Sequence, residues 1–451
     1  MSDIISGKTE VYSCDVLVVG AGAGGIPAGV AAAREGAEVI IADRNGFVGG
    51  MTASGLPYLG YLDAKRRQVV GGIAAEFVDE LKKDGYALGI RYCPKHLSLV
   101  GVNPEGVKLT AARYLKENGV KILLHMTAVG VGLDDGKITS VTFDCAGKRI
   151  RITAKTVINA TGDGTVAYLA GAGFRIGRAG VDIQPPSVLF TIGGVDKEGL
   201  FRYLENHPEE LEPYTLEYLR ESPDYVLVTL HSLWRELVPK GEWPIGIWAM
   251  ICINRPGDTE VCINGPRMAG TDATDPASIT KAELEGAEQA SAFVKMLRKY
   301  VGGFENAFLS HINDSIGIRE TRHINGIKTL TGADVKSGRI TDDTIALGAY
   351  PIDIHGSGDS TSEFIHFDSP YGIPYLAAVS ADIRGLMMSG RCISADREAF
   401  GSCRVMGTCF AVGEAVGIGA ALAAKNNCLP EDVPVGEIRK ILIRNGAVLS
   451  V

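Results

Sequence analysis

The chain has 451 residues, 46% of them hydrophobic, so it is long enough to bury a large core and to divide into two or three domains. Its formal net charge is −8 and its longest basic run is Lys65-Arg66-Arg67, which argues against nucleic acids and anionic membranes as partners. The first 14 residues hold no long apolar core, and no uninterrupted apolar run reaches the roughly 20 residues of a membrane span. The sequence therefore predicts a cytoplasmic protein without a membrane segment.

The first predicted element is a βαβ unit. An apolar strand, Val16 to Val19, breaks at a glycine-rich turn, continues as an alanine-rich helix, and returns as a second strand, Glu38 to Ala42. In a G-x-G-x-x-G turn the first glycine allows a sharp bend, the second admits a pyrophosphate and the third lets the helix lie against the sheet. We therefore expect a dinucleotide to lie against Gly20, Gly22, Ala23, Gly24 and Gly25.

The residues after the second strand extend this predicted nucleotide site. Asp43 stands where a carboxylate can accept hydrogen bonds from both ribose hydroxyls, and its charge disfavours the 2′-phosphate of NADP. The βαβ unit leaves NAD and FAD as alternatives. Small and hydroxyl residues follow in the next loop, where the chain is expected to run close to an extended cofactor. The contacts predicted here are Arg44, which follows Asp43 directly, and the loop residues Gly49, Gly50 and Thr52.

Further along, the sequence predicts a helix at residues 71–83, then a helix and several strands, the last of which ends in a second glycine-rich break at residues 160–164. From about residue 180 the composition changes, with three tryptophans, many prolines and a helical stretch at 278–300. We interpret residues 180–375 as an inserted mixed α+β cap domain, residues 10–179 and 376–427 as one discontinuous nucleotide-binding domain, and residues 428–451 as a C-terminal extension.

The C-terminal segment favours FAD over NAD. A short strand, Leu386 to Met388, leads to Gly390 and Arg391, and then to a predicted helix at residues 407–423 that is rich in glycine and alanine. Each glycine costs a helix about 1 kcal/mol, which close packing must offset. A cofactor as long as FAD needs such a second anchor, and the helix N-terminus at Met406, Gly407 and Thr408 would stabilise negative charge on a reduced flavin.

Several motifs together carry a resemblance to a known family. The stretches "GAGAGG", "VINATGDGTVAYLAG", "GIRETRHINGIKTLTGADV" and "GRCISADREAFGSCRVMGTCF" resemble the FAD-dependent oxidoreductases of the glutathione-reductase-like fold, with its "ATGDG", "RETR" and "GRCIS" signatures. More distantly, the chain is similar to fumarate reductase flavoproteins and to the flavin region of heterodisulfide reductase. The fold class expected is α/β, a Rossmann-like FAD-binding domain with the inserted cap domain.

The resemblance implies an extended FAD with its adenine near Ala128 and Val129 and its isoalloxazine ring near the "GRCIS" segment. The loop that can carry a covalent flavin link in proteins related to succinate dehydrogenase has no histidine here, which favours noncovalent FAD. The remaining cofactor contacts expected from the second glycine-rich break are Ala160, Thr161, Gly162 and Asp163.

The sequence offers few groups for chemistry beside a flavin. His355, near Asp353 in a glycine-rich loop, is a candidate acid or base. Arg319 and Arg322 would share one face of a helix and clamp a carboxylate, but they would point to opposite faces of a strand. A structural ion pair with Glu320 or Asp343 is the alternative for these arginines.

The other polar candidates are less specific. Arg391 and Arg404 flank the loop before the C-terminal helix and would hold flavin, substrate or structure. The nine cysteines include no C-x-x-C pair, so no zinc site, iron–sulfur cluster or vicinal disulfide is predicted. Most are expected to be buried thiols, and a redox role for one of Cys392, Cys403 and Cys409 is the alternative.

Two classes of function follow. The preferred one is an FAD-dependent oxidoreductase that transfers a hydride between flavin N5 and a small organic substrate. The alternative is an electron-transfer flavoprotein subunit that works with an iron–sulfur or dehydrogenase partner, and a flavin hydroxylase is a third. The predicted partner is a small-molecule substrate, with a homo-oligomer or a redox partner left open.

Overall fold

The computed structural model describes residues 9–177, 182–254, 259–356 and 362–451. The predicted domain boundary between residues 179 and 180 lies outside the described residues, as do the first eight residues of the N-terminal segment. In chain order the strands are β1 (Glu10–Val19), β2 (Val39–Ala42), β3 (Arg91–Cys93), β4 (Leu97–Leu99), β5 (Lys121–Leu123), β6 (Thr127–Asp134), β7 (Lys137–Cys145), β8 (Lys148–Asn159), β9 (Phe174–Ile176), β10 (Ser187–Gly193), β11 (Val226–Thr229), β12 (Met250–Asn254), β13 (Val261–Arg267), β14 (Phe308–Ile312), β15 (Arg322–Ile324), β16 (Thr344–Gly348), β17 (Ile352–His355), β18 (Ser362–Ile365), β19 (Tyr371–Pro374) and β20 (Leu386–Met388).

The α-helices are α1 (Gly25–Arg34), α2 (Gly72–Lys83), α3 (Pro104–Glu117), α4 (Thr165–Leu169), α5 (Lys197–Glu205), α6 (Leu216–Glu221), α7 (His231–Leu237), α8 (Pro276–Tyr300), α9 (Gly332–Ser337), α10 (Arg397–Cys403), α11 (Met406–Asn426) and α12 (Val435–Arg444). Short 3₁₀ helices cover Gly50–Ala53, Pro208–Glu210, Val238–Lys240, Tyr375–Ala377 and Pro430–Asp432.

The main sheet has the strand order β5-β2-β1-β8-β7-β6, and β20 also pairs with β8. Strands β5, β2, β1, β8 and β20 pair in parallel, whereas β6 and β7 add an antiparallel edge. The apolar residues at the carboxyl end of β1 are buried because both faces of a parallel sheet are covered. The predicted α/β class and the βαβ unit are confirmed.

Helix α11 crosses the core against α1, and its glycines explain how closely the two helices approach. A Cβ atom on Gly413 would lie 2.4 Å from the carbonyl oxygen of Gly24, and one on Gly417 would lie 2.2 Å from that of Ala28. Close packing therefore offsets the low helix propensity of these glycines. By length and composition α11 would also be apolar enough to cross a membrane, but most of it is buried inside the protein, as in the core helix of a globular domain.

One carboxylate in α11 ties this helix to α2. Glu414 is buried, and its Oε2 accepts a hydrogen bond of 2.9 Å from the backbone N–H of Ile73 in the first turn of α2. Burial raises the pKa of the Glu414 carboxyl to about 7, although the Ile73 bond opposes that change. A negative group at the start of α2 is favourable for the helix dipole, so Glu414 links the two helices at a cost in desolvation.

A second, antiparallel sheet has the order β11-β12-β13-β10-β14, and α8 packs on it to form a separate hydrophobic core. Residues on β16 and β19, such as Leu347 and Ile373, instead belong to the core of the main sheet. The range 180–375, predicted as one cap domain, therefore divides between the two cores. The division arises because the chain leaves the second sheet after β14 and returns to pack against α9, α10 and α11.

Candidate active site

A cavity of about 1010 Å³ lies between the two sheets. One end is formed by the carboxyl ends of the parallel strands β1, β2 and β8, at Val19, Ala42 and Ala160. Ligands of open α/β sheets bind at this edge. The other end is formed by the second sheet together with polar residues from β17, β18 and the segment before α11.

Most of the predicted cofactor residues line this cavity. Those that do are Gly20, Gly22, Ala23, Gly24, Asp43, Arg44, Gly50, Ala128, Ala160, Thr161, Gly162, Asp163, Gly390, Arg391 and Met406. Those outside the lining are Gly25, Gly49, Thr52, Val129, Gly407 and Thr408. Val129 is 39% exposed to solvent, because β6 is the edge strand of the main sheet.

The glycines of the βαβ turn differ in what surrounds them. Gly20 has φ +103°, and a Cβ there would lie 2.4 Å from the carbonyl oxygen of Ala160, while one on Gly25 would lie 1.8 Å from that of Gly20. These two glycines are required by the fold itself. At Gly22 the nearest heavy atom to an added Cβ is the carbonyl oxygen of Gly49, at 3.8 Å, so Gly22 borders open cavity.

Asp43 lies at the end of β2 with its carboxylate turned toward the glycine-rich turn. Its Oδ2 accepts 2.6 Å from the backbone N–H of Ala21, and its Oδ1 accepts 2.8 Å from that of Asn45. Burial raises the pKa of this carboxyl, opposed by the two backbone bonds. Each oxygen keeps a second lone pair, so the group can brace the turn and still accept from a ribose hydroxyl.

The three signature motifs, far apart in the sequence, meet at Asp163. Arg391 forms a short ion pair with its Oδ1, and Thr321 donates to the same oxygen at 3.2 Å. Arg322 donates to the backbone carbonyl of Asp163 at 3.2 Å, and Arg44 lies 3.9 Å from its Oδ2. Burial disfavours the charged carboxylate, but Arg391 and Arg44 outweigh it and lower the pKa of Asp163.

Of the two alternatives for Arg319 and Arg322, the structure shows the non-helical one, in which Arg322 begins β15 and the two side chains point apart. Arg319 precedes β15 and lines the cavity, donating to the carbonyl of Pro185 at 2.8 Å and to Ser187 Oγ at 2.6 Å. The Arg322 guanidinium instead lies 4.1 Å from the centre of the Tyr168 ring, outside the cavity lining. The alternative prediction, an ion pair of these arginines with Glu320 or Asp343, is wrong. Glu320 pairs with His323, and Asp343 pairs with Lys328.

His355 lines the cavity, but both of its ring nitrogens are engaged within the protein. Nε2 lies 3.3 Å from Asp353 Oδ1, and Nδ1 lies 3.1 Å from Ser362 Oγ. Burial lowers the pKa of His355 to about 3, despite the opposing charge of Asp353. The ring is therefore neutral at physiological pH, and it fits a donor to Asp353 and an acceptor from Ser362.

Four further residues at this end of the cavity were not singled out from the sequence: Lys95, His96, Arg267 and Tyr350. Lys95 and His96 lie in the β3–β4 turn, and Arg267 ends β13. Burial is the largest cause that lowers the pKa of Lys95, and it lowers that of His96 to about 4. Lys95 and His96 are adjacent, but Arg267 and Tyr350 lie far from them in the sequence, so only the fold brings the four residues together.

The cysteines are free thiols, and most of them are buried. Burial raises the pKa of Cys392 to about 11 and that of Cys409 to about 12. Such thiols are mostly protonated at neutral pH and react slowly as nucleophiles. Within the described ranges, no three His, Cys, Asp or Glu side chains gather to hold a metal ion.

Comparison with known proteins identifies the family. Residues 15–442 match the model of a family described as FAD dependent oxidoreductase. The chain belongs to this FAD-dependent oxidoreductase family. The predicted enzyme class and the FAD cofactor are thereby confirmed, and both glycine-rich turns and the C-terminal helix lie inside the matched region. Among curated proteins, none matches this chain.

The solved structures to which the chain is similar include a monooxygenase, a flavin-dependent brominase and a reductase-like protein. p-Nitrophenol 4-monooxygenase PnpA from Pseudomonas putida DLL-E4 is 12% identical, with 97% of this chain and 87% of that one covered and a TM-score of 0.48. The flavin-dependent brominase Bmp2 is 13% identical, with 95% and 83% covered and a TM-score of 0.48. A geranylgeranyl bacteriochlorophyll reductase-like protein from Thermoplasma acidophilum is 12% identical, with 97% and 85% covered and a TM-score of 0.47.

The residues of the cavity fit FAD. Gly22 leaves open the space that a side chain would fill, next to the N-terminus of α1, where backbone amides favour a phosphate. Asp43 and Arg44 border the same end. The cavity volume lies at the upper end of the range of about 300–1,000 Å³ for ligand sites, as a long cofactor with a substrate beside it requires.

Proposed function

We propose that this FAD-dependent oxidoreductase transfers a hydride between flavin N5 and a small organic substrate bound under the second sheet. The observation that carries the proposal is the continuity of the cavity, which joins Gly22 and Asp43 at one end to Arg319 and His355 at the other. A cofactor anchored at the βαβ turn thus opens toward a second, chemically different compartment. Bound FAD supplies the two-electron chemistry, while the protein supplies position and electrostatics.

The proposal assigns FAD an extended, noncovalent arrangement of the glutathione-reductase-like type. The adenosine end would lie by Asp43, Arg44 and Ala128, the pyrophosphate by Gly22, and the isoalloxazine ring toward Gly390 and the start of α11. Gly49, Thr52 and Gly25 would support the site from behind rather than touch the cofactor. Thr52, for example, is buried and donates from Oγ1 to the Gly49 carbonyl at 2.6 Å.

The second sheet is proposed as the substrate domain. One face of this sheet packs on α8, and the alternate residues Val226, Val228, Ile251 and Ile253 line the cavity. Successive side chains of a strand point to opposite faces of the sheet. One face can therefore pack on α8 while the other forms a boundary of the reaction compartment. Exclusion of water from that compartment strengthens the electrostatic interactions inside it.

The test is anaerobic mixing of the isolated chain, loaded with FAD, with a panel of small metabolites while the flavin absorbance is followed. We expect at least one compound to bleach the flavin without any partner protein. Reduction that occurs only when an iron–sulfur or dehydrogenase partner is added would overturn the proposal in favour of an electron-transfer subunit. A matched control is free FAD, which should not bleach with the same compound.

His355 is proposed to act through its neighbours, as a positioning residue for Ser362 and Asp353. We expect His355→Gln to retain FAD and to slow substrate-driven reduction by about tenfold, less than the 10²–10⁴-fold of a positioned acid–base group. Because the pKa of His355 is about 3, the ring stays neutral between pH 5 and 9, and the substitution should leave the shape of the pH–rate profile unchanged. Loss of one limb of that profile in His355→Gln would instead make His355 the proton-transfer group.

A further inference from the structure

Asp353, in the lining of the cavity, is surrounded by a cluster of cationic side chains. The members of this cluster are Lys95, Arg267, Arg319 and Arg404, which line the cavity and interact electrostatically with Asp353. Within this cluster the cations outnumber the carboxylate. They come from the β3–β4 turn, β13, the segment before β15 and the end of α10, so the fold itself brings them together.

These cations are held mainly by neutral groups. Arg267 donates to Ser362 Oγ at 3.1 Å, and Arg319 donates to Ser187 and to the Pro185 carbonyl. Of the three arginines, Arg404 is the one that forms an ion pair within the described residues, with 3.3 Å between its guanidinium and the Asp353 carboxylate. The Nε atoms of Arg267 and Arg404 are buried and have no hydrogen-bond partner within the described chain, so the guanidinium groups retain unused donors.

The clustering has an electrostatic cost. Burial, together with the like charges of Arg267 and Arg404, lowers the pKa of Arg319 to about 9. Burial likewise lowers the pKa of Lys95 and of Arg267. Charges taken out of water and placed beside each other are unfavourable unless an opposite charge joins them, so a bound anion would offset both effects.

Part of the cavity wall formed by the second sheet is apolar. The apolar lining residues of this sheet include Leu189, Val226, Val228 and Ile253, and Trp248 also lines the cavity. A ligand that filled the compartment would place an anionic group among the arginines and a hydrocarbon surface against the sheet. The planar arginine fork matches the two oxygens of a carboxylate, which gives directional hydrogen bonds as well as charge.

We propose that the substrate is a carboxylic acid with an apolar body, its carboxylate bound by Arg267, Arg319 and Arg404 and its body packed on the inner face of the second sheet. This inference rests on the proposed function, since it names the substrate class of the same compartment. It also explains why three arginines meet there around a single aspartate. A neutral substrate would leave their excess charge without a partner.

Binding of probe molecules to the oxidised FAD-loaded protein tests the inference without turnover. Benzoate, benzamide and inorganic phosphate are titrated by isothermal calorimetry at low and high salt. Benzoate and benzamide share an apolar ring and differ in the charge of the head group. We expect benzoate to bind at least tenfold more tightly than benzamide, because a hydrogen bond to a charged group is the stronger, and to weaken with salt.

A substitution in the cluster tests whether benzoate binds to these arginines. Arg319→Met should weaken benzoate binding by about 10- to 100-fold, leave benzamide binding unchanged, and keep FAD content normal. The matched control is Arg202→Met, which removes a surface arginine paired with Asp196 and 63% exposed, and should change neither ligand. If Arg319→Met does not fold, the comparison of benzoate with benzamide on the unaltered protein still decides the matter.

The outcomes separate this inference from the proposed function. Equal affinity for benzoate and benzamide overturns the carboxylate assignment, and so does binding of phosphate with no binding of benzoate, which would make the cluster a phosphate site. Bleaching of the flavin by neutral metabolites alone would overturn the inference while leaving the proposed function intact. Tight benzoate binding with no bleaching by any metabolite would support the inference and count against the proposed function.

Discussion

Gly22→Val is expected to yield a folded protein that no longer retains FAD. The valine side chain would project into the cavity, because the nearest protein atom to a Cβ at this position is 3.8 Å away. It would occupy the space assigned to the pyrophosphate and remove two or more hydrogen bonds to a charged group. At about 1.5–3 kcal/mol for each such bond, FAD affinity should fall by about 10²–10⁴-fold. Absorbance at the flavin band after gel filtration measures the retained cofactor.

Two other glycines separate cofactor loss from misfolding. Gly436→Val introduces the same side chain on α12, where a Cβ meets no atom within 4 Å, and should leave both FAD content and thermal stability near those of the unaltered protein. Gly25→Ala should destabilise the fold itself, since its Cβ would lie 1.8 Å from the Gly20 carbonyl oxygen. Full FAD retention in Gly22→Val would move the pyrophosphate away from the βαβ turn.

The sequence was most informative where the relevant physics is local. The first βαβ unit combines an apolar strand, a glycine turn and an acid at the next strand end, and each follows from residues within 30 positions of one another. Helices at 72–83, 276–300 and 406–426 were likewise predicted to within a few residues, because their apolar spacing or glycine-rich packing face is continuous in the chain. The short helix α10 was missed, since Asp396 caps it within a segment that reads as loop.

The residues at the substrate end of the cavity could not be predicted from the sequence in the same way. Whether Arg319 and Arg322 share a face depends on backbone geometry, and an extended segment sends one toward Ser187 and the other toward Tyr168. Lys95 and Arg267 are separated by more than 170 positions, and nothing local marks either as a cavity residue. Burial decides the protonation of His355, and the sequence near it gives no sign that both ring nitrogens are already bonded.

The convergence of the "ATGDG", "RETR" and "GRCIS" stretches has a single physical centre. Asp163 lies in the turn after β8, Thr321 precedes β15, and Arg391 follows β20. The pair of Asp163 with Arg391 is mostly buried, with 14% and 17% of the two side chains exposed. A buried carboxylate that joins three segments can serve the fold and the cofactor at once.

Asp163→Ala is therefore expected to lower the free energy of unfolding by about 3–5 kcal/mol, the range for removing one partner of a buried ion pair. The loss leaves the Arg391 guanidinium buried without its carboxylate and frees Thr321 from the same oxygen. Glu236→Ala is the matched control, because Glu236 forms a surface pair of 2.7 Å with Lys240, its side chain is 59% exposed, and its loss should change stability by less than about 1 kcal/mol. Urea denaturation of both variants, with and without saturating FAD, measures the difference.

The two conditions separate two roles of Asp163. If Asp163→Ala loses as much stability without FAD as with it, Asp163 acts on the fold, since the ion pair exists without the cofactor. A loss that appears only with FAD present would mean that the carboxylate acts chiefly by holding the cofactor, because a ligand stabilises a protein in proportion to its binding to the native state.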